Sequence, residues 1–330
     1  MCYLKIFRLV TVIVLALFPF SACSPKPSPT PSLTPVTVQL AWTHQAQFAG
    51  MYAADLKGYY ASEGLSVTFL EGGPAVDINE VVLSGKAQFG IAAADAFLIA
   101  RAAGKNVSAI SVIFRRSPRV YIALASSGIT QPQDFVGKTI AVNVTGYAPF
   151  NALMKRVGIQ PNQYTLVNST SDLTQFYSGT VQVRSVYLTN EVLTIKAAGY
   201  DINIIYPDDY GIHNYSDTLI CPDDLITSQP DLVLRFLRAT LKGWTYAVEN
   251  PTEIGPMVKK YNPKADSQME TEKMTASLPL VNTGEDHIGW MRPEVWAGME
   301  QVLREQGVIT TPLDVTQVYT MQFLEKIYGK

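Results

Sequence analysis

Val36 to Leu70 reads VTVQLAWTHQAQFAGMYAADLKGYYASEGLSVTFL. Val36, Val38 and Leu40 alternate with Thr37 and Gln39, the period-2 pattern of a strand with one buried face. A polar and aromatic stretch from Trp42 to Gln47 follows. At Phe48 the period changes, and Phe48, Met51, Tyr52, Asp55 and Tyr59 fall at helical spacing. Gly58 and Gly64 punctuate the end of that helix, and Val67 to Leu70 make a second strand. Strand, turn, helix, strand is one βαβ unit. In open α/β sheets ligands meet the carboxyl ends of the strands, so Trp42 to Phe48 is where a ligand is expected.

Outward from this unit the alternation of strands and helices continues. A helix is predicted over Asp77 to Leu83, a strand ending at Ala92 to Asp95, and a helix over Ala96 to Ala103. Asp95 there is equally suited to cap the helix or to face a ligand. Ser108 to Phe114 reads as a strand, with Arg115 and Arg116 as an exposed strand end and Val120 to Ala125 as a first crossing to a second lobe. Lys138 to Val142 opens that lobe. The loop Asn143 to Pro149 runs into a helix start and offers backbone N–H groups to a polar ligand atom. Val181 to Tyr187 is a further strand, and Thr218 to Cys221 returns the chain. In Pro230 to Asn250 the residues Leu232, Val233, Phe236, Leu237, Leu241, Trp244 and Val248 share one helix face, so Trp244 is read as core. The helices after it are expected to pack on the first lobe, with Trp290 and Trp296 covering its edge.

The chain has 330 residues, 47% of them hydrophobic and 16% charged, with a net charge of −2. That is enough chain for two lobes with separate cores and too little positive charge for a nucleic-acid binder. Lys5 and Arg8 precede an apolar run from Leu9 to Phe20, the layout of a signal peptide over 1–22. Phe20-Ser21-Ala22-Cys23 resembles a bacterial lipobox, which implies lipidation at Cys23. Five prolines between Ser24 and Pro35 then make 23–35 an extended tether. With Cys2 removed and Cys23 lipidated, Cys221 is left without a disulfide partner and is read as a buried thiol.

The first unit also carries Gly50, Tyr52, Ala54, Gly58, Tyr59, Tyr60, Glu63, Gly64, Leu65 and Val67, in the arrangement G-x-Y-x-A-x-x-x-G-Y-Y-x-x-E-G-L-x-V. Ala239, Gly243, Trp244, Tyr246, Ala247, Asn250 and Pro251 match a second pattern, A-x-x-x-G-W-x-Y-A-x-x-N-P. Both are similar to the substrate-binding proteins of ABC importers, in the branch that serves thiamin-precursor pyrimidines, riboflavin and sulfonates. The resemblance implies a type II periplasmic-binding-protein fold: two α/β lobes, 36–124 plus 222–330 and 125–221, joined by two crossing strands around a cleft. It also implies a monomer on the extracytoplasmic side of the cell membrane, held by its lipid and delivering solute to a permease coupled to an ATPase. Asn190 and Glu191 match a polar pair that faces the cleft in related proteins.

No catalytic motif competes with binding. His44, His213 and His287 have no metal-ligand spacing, no cysteine is paired with a histidine, and no P-loop is present. Asp208-Asp209 and Asp223-Asp224 read as solvated turns. No cofactor, metal or nucleic acid is expected. A branch of the same fold makes the thiamin pyrimidine with an active-site histidine, and His44 lies in the corresponding turn. A planar heterocycle needs aromatic faces to stack on and amide or carboxylate groups to read its edge. Trp42, Phe48, Tyr52, Tyr147 and Tyr187 are the stacking candidates. Gln45, Gln47, Asp95, Asn143, Asn190 and Glu191 are the edge readers. Thiamin-precursor binders carry W-x-P-N-x-N-H-x-G in the first turn, whereas Trp42 to Gly50 reads WTHQAQFAG. Its Q-x-Q-F-A-G part is similar to the riboflavin-importing members, which places riboflavin ahead of the pyrimidine and of a sulfonate, for which Arg115, Arg116 and Arg119 could serve.

Overall fold

Among the described residues ten strands fall into two sheets, and the chain crosses between them twice. The computed structural model describes residues 32–330 except 74, 144, 145 and 171. The expected signal peptide, Cys23 and most of the tether lie outside the described residues.

The first part of the chain runs β1 (Thr34–Gln39), α1 (Ala49–Leu56), α2 (Tyr59–Ser62), β2 (Leu65–Leu70), α3 (Ile78–Leu83), β3 (Phe89–Ala92), α4 (Ala94–Ala102) and β4 (Val107–Phe114). The second part contains β5 (Arg119–Leu124), β6 (Thr139–Val142), α5 (Tyr147–Arg156), β7 (Thr165–Asn168), α6 (Thr174–Tyr177), β8 (Val183–Tyr187), α7 (Glu191–Ala197) and β9 (Ile202–Ile205). The chain then returns through β10 (Ser216–Pro222), α8 (Asp223–Ser228), α9 (Pro230–Glu249), α10 (Ile254–Tyr261), α11 (Ser267–Val281), α12 (Pro293–Glu305) and α13 (Gln322–Tyr328). Strand order is β2-β1-β3-β10-β4 in the first sheet and β7-β6-β8-β5-β9 in the second.

Two lobes result, each a mixed sheet with helices on it, as expected. Several local expectations are corrected. β1 begins at Thr34, two residues inside the expected tether. Pro35 is tolerated because β1 pairs β2 along its length but meets β3 only at Val38 and Gln39, so the missing N–H of Pro35 breaks no ladder there. The expected single helix after Phe48 is split by Gly58, which takes φ +72° between α1 and α2. Val120 to Ala125 is not a crossing: β5 pairs with both β8 and β9, inside the second sheet. Likewise β10 lies between β3 and β4 in the first sheet. The crossings are therefore the irregular segments 115–118 and 211–215, and the strands 119–124 and 216–221 exchange the lobes expected for them.

The first lobe rests on a continuous apolar core in which α9 lies against α1. Their closest approach is made by two glycines. A Cβ on Gly243 would sit 2.0 Å from the Gly50 carbonyl oxygen, and one on Gly50 would sit 2.2 Å from the Trp244 ring. The sequence pattern around Gly50 and Gly243-Trp244 is thus a helix-crossing device, with Trp244 in the core as read. Trp296 is fully buried too, against Phe97 and Tyr215, and is core rather than edge cover. Its helix, α12, also reaches the second lobe: Val302 packs on that lobe's core and Glu305 pairs with Lys155 of α5. Cys221 is buried, and burial pushes its thiol pKa up.

Candidate ligand cleft between the sheets

Pairing directions decide which residues share an edge. β1, β2 and β3 run parallel and β10 antiparallel to β3 and β4, so the carboxyl ends of β1, β2, β3 and β4 lie beside the start of β10. In the second sheet β6, β7 and β8 run parallel and β5 antiparallel to β8, which sets Arg119 directly opposite Tyr187. These two edges bound a cleft of about 630 Å³, within the range of small-molecule sites. Trp42, Gln45, Gln47, Asn143, Tyr187, Asn190 and Glu191 all line it. So do Arg119, weighed only for a sulfonate, and Asn79, Thr189, Ser216, Asp217, Lys273 and Ser277, which were not expected there.

On the first-lobe wall the turn after β1 is held by backbone contacts. Gly72 donates to the Trp42 carbonyl at 3.0 Å, and a Cβ on Gly72 would meet the Leu40 carbonyl oxygen at 2.1 Å. Only glycine permits the two strand ends to close this tightly. Trp42 is left 42% exposed, a flat apolar face turned to the cleft. Behind the turn, buried Glu270 of α11 accepts from the Ala46 N–H at 2.6 Å and pairs with Lys273 at 2.7 Å. Gln45 Nε2 donates to Gln47 Oε1 at 2.9 Å, and Gln47 Nε2 donates to Asp217 Oδ1 at 2.9 Å.

Asp217 has φ +52°, the only positive φ of a non-glycine among the described residues. Asp tolerates this left-handed region better than most residues, at a cost of about 1 kcal/mol. The side chain is fully buried at the start of β10. Burial raises its carboxyl pKa to about 7, with the Gln47 hydrogen bond and the neighbouring Ser216 hydroxyl acting against it. Its Oδ2 has no hydrogen-bond partner among the described residues.

On the second-lobe wall Arg119 donates to Asn143 Oδ1 at 2.9 Å and to Ser185 Oγ at 3.2 Å, with its guanidinium 5.3 Å from the centre of the Tyr187 ring. Glu191 accepts from the Tyr187 N–H at 2.9 Å and so braces the turn after β8. Burial raises the Tyr187 pKa, with Arg119 acting against it. Along the outer part of the cleft, α4 presents Ala96, Ile99, Ala100 and Ala103 as an apolar floor leading to Lys105, itself paired with Asp77 and Glu80.

Four expected site residues stand elsewhere. Phe48 and Tyr52 point into the first core because α1 buries that face, and Tyr52 stacks on Tyr261 with ring centres 4.3 Å apart. Tyr147 packs against the core of the second lobe. Asp95 is not the N-cap of α4. That position is Ala93, and Asp95 sits one residue inside the helix, its side chain accepting from the Ala96 N–H at 2.8 Å. It lines a smaller recess of about 60 Å³ that shares Arg119, Tyr187 and Ser216 with the cleft. Burial raises its pKa, with Arg119 opposing.

His44 turns away from the cleft and bonds the Tyr52 hydroxyl through Nδ1 at 2.8 Å; desolvation lowers its pKa and Glu71 works against that. The paired acids are not merely solvated. Asp208 links Arg116 and His213 at 2.6 Å each, and Asp223 links Ser108 and Arg101 at 2.6 and 2.8 Å. Arg115 is buried rather than exposed, pairing with Asp286 at 2.7 Å. Among the described residues no cluster of His, Cys, Asp and Glu could hold a metal ion, and no helix is long and apolar enough to cross a membrane.

A profile of the family described as NMT1/THI5 like matches residues 45–254. The riboflavin-binding protein RibY of Chloroflexus aurantiacus is 26% identical over 96% of this chain and 97% of its own length. A 4-amino-5-hydroxymethyl-2-methylpyrimidine phosphate synthase of Legionella pneumophila is 25% identical over 88% of this chain and 92% of its own. Among solved structures, a putative periplasmic sulfonate-binding protein of Methylobacillus flagellatus superposes with a TM-score of 0.69 at 17% identity, covering 91% of this chain and 95% of that one. The last likeness shows the fold: this is a periplasmic-binding-protein architecture.

Proposed function

The chain belongs to the NMT1/THI5-like family, and from that premise we propose that it is the extracytoplasmic solute-binding component of an ABC importer, with riboflavin as its ligand. One observation carries the reading: a cleft of about 630 Å³ with an aromatic face on each wall, Trp42 and Tyr187, and amides between them. An isoalloxazine is large, flat and edged with carbonyl and N–H groups, which suits stacking faces combined with Gln45, Gln47, Asn143 and Asn190. The apolar floor of α4 leaves room for a chain attached to the ring, with polar groups at its outer end. The likeness to RibY along nearly the whole chain supports the same ligand.

The mechanism follows from the two crossings. A ligand touching both walls makes all its contacts only when the lobes are closed, so binding stabilises that state. Segments 115–118 and 211–215 would act as the hinge, and Asp208 ties Arg116 in the first to His213 in the second. The closed form would then dock on a membrane permease driven by an ATPase. Lipidation at Cys23 after removal of 1–22 would hold the protein to the outer face of the membrane as a monomer.

The likeness to a pyrimidine phosphate synthase supports a second reading, a thiamin-precursor pyrimidine as ligand or product. His44 does not favour the enzymatic version, because its ring is engaged by Tyr52 rather than lining the cleft. Titration of the purified chain with riboflavin, followed by quenching of flavin fluorescence, tests the proposal. Saturable quenching that weakens at least about tenfold in Trp42→Ala is expected, the scale of one lost stacking contact. A flat titration would remove riboflavin and call for the same measurement with the pyrimidine.

A further inference from the structure

Asp217 and Asn79 are both buried, both line the cleft, and each has a side-chain oxygen without a hydrogen-bond partner among the described residues: Asp217 Oδ2 and Asn79 Oδ1. Buried polar atoms left this way are rare, and in a binding site the partner is supplied by the ligand. We propose that Asp217 determines ligand specificity: its Oδ2 accepts an edge N–H of a planar heterocycle held between Trp42 and Tyr187, and the same carboxylate turns anions away. The inference rests on the reading of this cleft as a vitamin-type site and names the chemistry that the site selects.

The direction of the hydrogen bonds carries the argument. Above about pH 7, the value to which burial raises its pKa, the Asp217 carboxyl is ionised and only accepts, so Gln47 presents its NH₂ group to it. The Gln47 carbonyl is thereby turned toward Gln45, which donates to it. Gln45, Gln47 and Asp217 form one polarised row with a carboxylate at its end. Asp217 is locked there by a left-handed backbone and by Gln47, so it cannot swing away to solvent. The acceptor it shows the cleft is preorganised, the condition under which a missing donor on the ligand is most costly.

A sulfonate needs the reverse, a cluster of donors or surplus positive charge. Lys273 is paired with Glu270 and Lys105 with Asp77 and Glu80, while Arg119 is engaged by Asn143, Ser185 and the Tyr187 face and interacts electrostatically with the Asp95 carboxyl. The architecture is shared with a sulfonate-binding protein, but this wall is built for a donor. In riboflavin the group that meets the requirement is the imide N3–H between its two ring carbonyls.

The test is a two-by-two cycle on the full chain: riboflavin and N3-methylriboflavin against wild type and Asp217→Asn. Asn adopts the left-handed backbone as readily as Asp and keeps an acceptor for Gln47, but places an NH₂ where the ligand needs an acceptor. Methylation of the ligand is expected to weaken wild-type binding about 30-fold, Asp217→Asn to weaken riboflavin by a similar factor, and the two together to cost little more than either alone. The methylated ligand probes the unaltered protein, so the outcome does not depend on how the variant folds.

Riboflavin binding that is equal in wild type and Asp217→Asn, or strictly multiplicative losses, would overturn the assignment and leave the ligand intact. If riboflavin fails to bind but 4-amino-5-hydroxymethyl-2-methylpyrimidine shows the same non-additivity with its N,N-dimethylamino counterpart, the riboflavin reading falls and the role of Asp217 stands. Failure of both heterocycles, or tight binding of a short alkylsulfonate by wild type, would overturn the proposal.

Discussion

The two walls of the cleft are built differently. On the first wall two carboxylates are buried, Asp217 at 4% exposed and Glu270 at 5%, and half-buried Gln45 and Gln47 form a row that ends on Asp217 above a continuous apolar core. On the second wall Asn143 is exposed and Tyr187, Asn190 and Glu191 are half-buried. They stand on a sheet whose two faces cover separate, smaller apolar clusters. A row anchored on a buried carboxylate is held in one orientation by that anchor, whereas exposed groups trade partners with water. The first wall is therefore the template, and the second is the surface that closes on it.

The sharpest way to break this contrast is through proton linkage at Asp217. Its carboxyl is raised from 3.8 to about 7 in the folded protein, chiefly by burial. Between those values the folded state holds a proton that the unfolded state has released, so stability falls as pH rises through about 4 to 7 and is level above it. About three pH units at ~1.4 kcal/mol each make this roughly 4 kcal/mol. Asp217→Asn should remove most of that slope in urea unfolding, leaving a residue of the same sign from Asp95, whose carboxyl is also raised by burial. An unchanged slope would place the buried proton elsewhere.

Next in size is the support beneath the template. Gly243→Ala forces a Cβ against the Gly50 backbone, and the two helices must separate. A loss of about 2–3 kcal/mol is expected, seen as a fall in Tm of several degrees. An unshifted Tm would show that the α1–α9 crossing yields easily and is no rigid base.

A smaller effect separates the two aromatics expected to stack. Trp42→Ala should cost flavin affinity at constant stability, since its face is exposed. Tyr52→Phe should do the opposite: affinity unchanged, and about 1 kcal/mol of stability lost with the bond to His44. Equal effects on affinity would put Tyr52 in the site after all. Smallest of all is Lys155→Ala, which cuts the ion pair from α5 to α12. With side-chain exposures of 64% and 37% the pair should contribute no more than about 0.5 kcal/mol. A larger loss would mean that this contact helps to set the closed geometry.

Most of the fold was legible because period changes at Phe48 and glycines at turns are local facts. Seven of the eleven expected ligand residues line the cleft, all at or just past the end of a parallel strand: Trp42, Gln45 and Gln47 after β1, Asn143 after β6, Tyr187 at the end of β8, and Asn190 and Glu191 after it. The misplaced aromatics share a cause. Phe48, Tyr52 and Tyr147 lie on helical stretches, where one residue step turns a side chain from cleft to core by about 100°. Asp217 was missed, and Arg119 was weighed only for a sulfonate, for the complementary reason. They begin antiparallel strands, and the start of such a strand meets the same edge as the carboxyl ends of its neighbours.

The amino-acid sequence alone determined the alternating α/β architecture, the two lobes, the family resemblance and the turn after β1 as a wall of the site. Each of these depends on neighbours within about twenty residues, where periodicity and turn chemistry act. Tertiary structure alone decided that 119–124 and 216–221 exchange lobes and that Gly50 meets Gly243. It also decided that Gln47 and Asp217, 170 positions apart, share one hydrogen bond. Those outcomes depend on strand pairing across the whole chain, which no local pattern encodes, and they placed a buried carboxylate at the ligand edge.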